Sequence, residues 1–132
     1  MTYRKGSYAI YRGKEYPFDV QENDNLTLIS NDSSEIENGF SVYAPGVYTL
    51  SVKKKELTGY YRISTQASFK GITFGVLKAE GGKVLISSSY ENWPRKFVEE
   101  LGLEQVDRGI YEKWVDEKDL EKVWEEKSPI EI

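Results

Sequence analysis

The residues best suited to recognition are acids near the C-terminal end of the chain and two aromatic residues upstream of them. Glu117, Glu121 and Glu125 recur at every fourth residue, Asp116 stands as a cap just ahead of them, and Glu112 precedes it. At that interval carboxylates share one helix face, where their combined field attracts and orients a basic partner. A plain solvated helix face carries the same pattern. Tyr90 and Trp93 stand in the segment Tyr90-Glu91-Asn92-Trp93, which has the composition of a loop. A tryptophan there can anchor a partner, or it can pack as a hydrophobic staple on the helix that follows. Charge is unevenly spread. Residues 1–98 carry 13 Lys and Arg against 10 Asp and Glu, a balance of +3, while residues 99–132 carry 5 against 12, a balance of −7.

Catalysis has little to work with. The chain contains neither histidine nor cysteine. That removes the Ser-His-Asp and Cys-His constellations, disulfides, and zinc or iron held by His or Cys. Gly71-Ile72-Thr73-Phe74-Gly75 and Gly81-Gly82-Lys83 read as strand and turn glycines, because neither leads into a helix as a phosphate loop would. Asp32, Glu35 and Glu37 lack the spacing of a calcium loop. Paired carboxylates could still act as acid and base, but that needs a cleft that separates their pKa values. The acids here fall on expected helix surfaces and in polar loops. The expectation is a protein that is not an enzyme, with no catalytic residues, no metal and no cofactor. Lys53, Lys54 and Lys55, near Tyr48, Tyr60 and Tyr61, could form a basic and aromatic nucleic-acid surface. They can equally end an edge strand in charge that discourages strand pairing. Glu56 follows directly and the whole chain carries a net charge of −4, which favours the second reading.

The elements that must position these residues are mostly strands. Ser7-Tyr8-Ala9-Ile10-Tyr11, Tyr16-Pro17-Phe18-Asp19-Val20, Leu26-Thr27-Leu28-Ile29-Ser30 and Gly46-Val47-Tyr48-Thr49-Leu50-Ser51-Val52 combine alternation with β-branched and aromatic residues. Glu22-Asn23-Asp24-Asn25 is a turn by composition, and residues 31–38 read as a polar loop. From residue 59 the order starts again. Gly59-Tyr60-Tyr61-Arg62-Ile63-Ser64 answers Gly6-Ser7-Tyr8-Ala9-Ile10-Tyr11, Ile72, Phe74 and Val76 alternate, and Lys83-Val84-Leu85-Ile86-Ser87 follows the Gly81-Gly82 turn. At a constant offset of 63, residues 37–57 and 100–120 share seven identities in 21 positions, the mark of a repeated structural unit.

Two helices are expected in the second half. One lies near 93–101, with Pro94 at its start and Gly102 past its end. The other lies near 117–126, with Leu120, Val123 and Trp124 on its inner side. The predicted fold is α+β and β-rich, with two tandem diverged β units, residues 1–57 and 58–132, packed as one compact domain. Each unit would have about four strands, as a small sheet or an SH3-like barrel. The expected core comprises Ile10, Phe18, Leu28, Val47, Leu50, Ile63, Phe74, Leu85, Phe97, Leu101, Ile110, Leu120 and Val123.

Lys5-Gly6-Ser7-Tyr8-Ala9-Ile10-Tyr11-Arg12-Gly13-Lys14-Glu15-Tyr16 and Gly46-Val47-Tyr48, with Val52 and Lys55-Glu56-Leu57, resemble small bacterial immunity proteins. Such proteins neutralise polymorphic or contact-delivered toxins, and the resemblance spans most of the chain. It implies a cytosolic inhibitor that binds the C-terminal domain of a cognate toxin, often a nuclease with a basic groove, and the acidic 99–132 region is then the contact surface. The start Met1-Thr2-Tyr3-Arg4-Lys5-Gly6 is charged and no apolar stretch follows it, while no apolar run approaches the roughly 20 residues that span a bilayer. A cytoplasmic location without a membrane partner is therefore expected. Net acidity disfavours nucleic acid as the partner. The alternative is a small β-barrel adaptor for nucleic acid or peptide, led by the tyrosines with Lys53, Lys54 and Lys55.

Overall fold

The computed structural model describes residues 3–88 and 94–132. Among them are eleven strands: β1 (Gly6–Tyr11), β2 (Lys14–Val20), β3 (Asn25–Ser30), β4 (Ser41–Ala44), β5 (Val47–Lys53), β6 (Gly59–Phe69), β7 (Ile72–Glu80), β8 (Lys83–Ser88), β9 (Glu104–Asp107), β10 (Ile110–Asp116) and β11 (Lys122–Ser128). They pair in one sheet in the order β4-β5-β3-β2-β1-β6-β7-β8-β10-β9, with β11 on β6. The ladders are antiparallel. Among the described residues helical structure is confined to α1 (Arg95–Leu101) and the 3-10 helices Ser33–Asn38, Lys54–Glu56 and Glu117–Asp119. The protein is nearly all-β, which corrects the expected α+β class with its two helices and fewer strands. No helix among the described residues is long and apolar enough to cross a membrane.

The helix expected near 117–126 is absent. Glu117–Asp119 makes a single 3-10 turn, and the chain then extends as β11. Acids spaced by four permit a helix, but pairing with β6 gives the backbone of this segment its hydrogen-bond partners and overrides the local preference. The helix expected near 93–101 is present as α1, and Gly102 ends it in the left-handed conformation at φ 69°. Residues 31–38, expected as a loop, hold the Ser33–Asn38 3-10 helix. Asp32 Oδ1 caps it by accepting from the Ser34 N–H at 2.9 Å.

The chain divides into two compact units: Gly6–Ile63 with Lys127–Ile132, and Ser64–Glu126 with Met1–Lys5. The order of elements is the same in each. Residues 6–30 correspond to 64–88 at an offset of 58, and residues 33–57 to 96–120 at an offset of 63. The Arg12-Gly13 turn has φ values of 51° and 78°, and Lys70-Gly71 has 50° and 78°, a left-handed pair suited to a two-residue hairpin. Backbone bonds recur as well. The Lys54 N–H donates to the Asp24 carbonyl at 2.9 Å and the Glu117 N–H to that of Gly82 at 3.0 Å. The first-half register differs from the sequence reading, which set Gly59 against Gly6. The cause is the length of β6: residues 59–63 pair with β1, and residues 66–69 pair with β7.

Each unit buries one face of its strands. Ala9, Tyr11, Tyr16, Phe18, Leu26, Leu28, Phe40 and Val52 form the first core. Their counterparts Ala67, Phe69, Phe74, Val76, Val84, Ile86, Leu103 and Val115 form the second, with Leu101 and Tyr111. Of the expected core, Phe18, Leu28, Ile63, Phe74, Leu85 and Leu101 are buried. Ile10, Val47, Leu50, Ile110, Leu120 and Val123 are half-buried, and Phe97 is 39% exposed. Phe97 sits on a helix of only two turns, too short to cover a full stripe. Phe74→Ala is expected to cost about 3–5 kcal/mol by urea denaturation. Val106→Ala, on the exposed strand β9, is expected to cost less than about 0.5 kcal/mol.

Candidate functional site

The structure separates the five acids into two groups. Glu117, Glu121 and Glu125 are engaged in folding contacts of the second unit. Burial, then the Glu117 carboxylate, pushes the Tyr3 hydroxyl up to about 12. Glu121 Oε1 accepts from the Gly71 N–H at 2.7 Å and from Ser68 Oγ at 3.1 Å, which ties down the β6–β7 turn. Glu125 takes a two-pronged bond from the Arg4 guanidinium at 2.8 and 3.0 Å. Glu112 and Asp116 lie on β10, where Asp116 Oδ1 stands 3.4 Å from Lys83 Nζ. They flank Trp114 at two-residue spacing on β10, so the three side chains share one face. Tyr90 and Trp93 lie outside the described residues.

Trp114 was not singled out by its sequence context. It is 41% exposed and sits in register opposite Leu85 of β8, which in turn faces Lys78 of β7. Lys78 Nζ stands 5.5 Å from the Trp114 ring centre. Leu77, at the bulge beside Lys78, is exposed too. This is the outer side of the sheet, opposite Val84 and Val115. The signal was available: Trp114 and Val115 are adjacent apolar residues in a strand, so they must point to opposite faces. One faces the core and the other requires a separate explanation. The corresponding positions of the first unit are polar, with Asp19 for Leu77, Thr27 for Leu85 and Ser51 for Trp114. The fold therefore does not require apolar residues on this face.

A second constellation lies inside the first unit. Glu35, on the Ser33–Asn38 helix, is 1% exposed and is the one charged side chain buried among the described residues. Its Oε1 accepts from Asn38 Nδ2 at 2.7 Å and lies 3.4 Å from Lys14 Nζ. Its Oε2 is buried without a hydrogen bond of regular geometry, and the Tyr16 hydroxyl is close beside the carboxylate. Burial pushes the Glu35 carboxyl up, but bonds from Tyr16, Asn38 and Lys14 outweigh it and hold the group below its ordinary value. Burial and the Glu35 carboxylate raise the Tyr16 hydroxyl well above its usual range. In the second unit the corresponding residues are Ile72, Phe74, Val98 and Leu101, all apolar.

Lys53, Lys54 and Lys55 line a cleft of 590 Å³ with Asn23, Asp24 and Tyr60. Of their ammonium groups, that of Lys54 is tied to its own unit. Lys54 Nζ donates to the Ile132 carbonyl at 2.8 Å and stands 5.7 Å from the Tyr60 ring centre. The Lys53 N–H is held by Glu56 at 2.7 Å. Among the described residues no group of three acidic side chains converges closely enough to hold a metal ion.

Residues 3–131 match the family described as uncharacterised conserved protein UCP033725, and the chain belongs to that family. No curated protein matches it, and neither does any solved structure.

The Glu35 pKa is lower in the folded chain than in the unfolded one. Its stabilisation is therefore present at neutral pH and is lost as pH falls below about 4.3, through the folded value. Urea midpoints are expected to fall less steeply with acid in Glu35→Gln than in the unchanged protein. Lys14→Ala should cost about 1 kcal/mol, since Lys14 is half exposed and water replaces part of its contact. The combination Lys14→Ile, Tyr16→Phe, Glu35→Val and Asn38→Leu, which installs the second unit's solution, should hold stability or raise it by up to about 4 kcal/mol.

Proposed function

We propose that this chain is a non-catalytic binding protein of the immunity type, which neutralises a cognate bacterial toxin domain with a basic surface, such as a nuclease. The supporting observation is the outer face of the second unit, where exposed Trp114 and Leu77 flank Leu85 at positions that are Asp, Thr and Ser in the first unit. Apolar residues that the fold does not need, on an open sheet face, suit burial by another protein. Glu112 beside Trp114 adds negative charge that would steer a basic partner, while Asp116 shares its charge with Lys83, and the balance of −7 over residues 99–132 acts in the same direction as Glu112. This reading places contact at Trp114, Glu112 and Asp116. It releases Glu117, Glu121 and Glu125, whose charge reversal would disturb folding contacts. The adaptor alternative has in its favour the cleft beside Lys53, Lys54 and Lys55, but Asp24 and Glu56 lie among those lysines.

Co-expression tests the proposal. The proposal requires a large reading frame beside this gene, whose C-terminal domain is expected to be toxic alone and harmless with this chain. Trp114→Ala together with Glu112→Lys should keep the urea midpoint and abolish protection. For Trp114→Ala alone the loss of affinity should be at least about 2 kcal/mol, or roughly 30-fold in Kd. No such neighbour, a non-toxic one, or full protection by the double variant overturns it.

A further inference from the structure

The outer face of the first unit carries a different chemistry. Asp19 of β2, Thr27 of β3 and Ser51 of β5 stand in one row across three strands. Ile29 and Thr49 form the next row. Tyr43, 78% exposed and set at the bulge of β4, lines the same groove, whose volume is 360 Å³. The row spans about 10 Å, the reach of two linked sugar rings.

We infer that this groove binds a neutral saccharide. A pyranose presents a C–H face that packs on an aromatic ring and a rim of hydroxyls that both donate and accept. Tyr43 supplies the ring. Asp19 accepts, while Thr27, Thr49, Ser51 and the neighbouring Gln21 do both. Among the described residues none of these side chains is committed to another hydrogen bond, in contrast to the acids of the second unit. Anionic ligands are disfavoured, because Asp19 is the only charged residue lining the groove. Strand addition at the β4 edge is disfavoured as well, since the bulge at Tyr43 interrupts a strand of only four residues. In the second unit the same positions hold Leu77, Leu85 and Trp114, so the saccharide site belongs to one unit alone and does not depend on the toxin-binding reading.

The test is an amide NMR titration of the full chain with maltotriose, cellotriose, xylotriose and chitotriose, with a Lys-Arg-Lys peptide as control. One trisaccharide is expected to shift Thr27, Ile29, Tyr43 and Thr49 selectively, with a Kd on the order of 1 mM or below. Tyr43→Ala should weaken it at least tenfold, and its high exposure keeps the fold intact. The inference is overturned if no trisaccharide shifts these residues at about 10 mM, if the shifts survive Tyr43→Ala, or if only the peptide produces them.

Discussion

Everything in each unit follows from the two-faced geometry of a strand. Side chains alternate, so an antiparallel sheet that buries one face leaves the other to water. The eight matched core positions meet the first demand in the same way in both units, from Ala9 and Ala67 to Val52 and Val115. Once that face is filled, burial places little constraint on the other. It is there that the units part: Asp19, Thr27 and Ser51 in one, Leu77, Leu85 and Trp114 in the other. A pair of units in one chain thus acts as its own control. A residue matched in both is explained by folding, and an unmatched residue on the open face needs another cause.

Local signals were legible where the physics is local. Glycine past α1, the hairpin turns and the offset of 63 between residues 37–57 and 100–120 all reflect backbone demands that a short stretch of sequence must meet itself. Long-range pairing left weaker marks. The β6 strand reads as the opening of a second unit, whereas its first five residues pair back onto β1 and only its later part pairs with β7. Nothing within those eleven residues announces the division. The acids at 117, 121 and 125 looked helical because spacing by four is compatible with a helix, and it is equally compatible with a strand once β6 offers a partner. Their roles were hidden for the same reason. Glu121 serves the Gly71 N–H fifty residues away, and Glu125 serves Arg4 at the other end of the chain. Trp114 was hidden differently: its neighbour Val115 supplied an easy apolar explanation for the strand as a whole.

At Glu35 the divergence between units reaches the interior. Four apolar residues, Ile72, Phe74, Val98 and Leu101, hold the equivalent place in the second unit, which demonstrates that this fold closes well without a charge there. Desolvating a carboxylate costs several kcal/mol, and the site meets that cost by committing Tyr16, Asn38 and a half-exposed Lys14 to one carboxylate. The apolar version already present in the same chain closes without that commitment. What the polar version adds is directional. Contacts of Glu35 with Lys14 and Tyr16 of β2 fix the Ser33–Asn38 helix against that strand at one register, where apolar contacts would tolerate sliding. That helix leads directly into β4, and Tyr43 follows Glu35 by eight residues. A groove wall formed by a single exposed ring needs its supporting segment held at a defined position, and a buried hydrogen-bonded carboxylate supplies that, a device absent from the other unit with its apolar face.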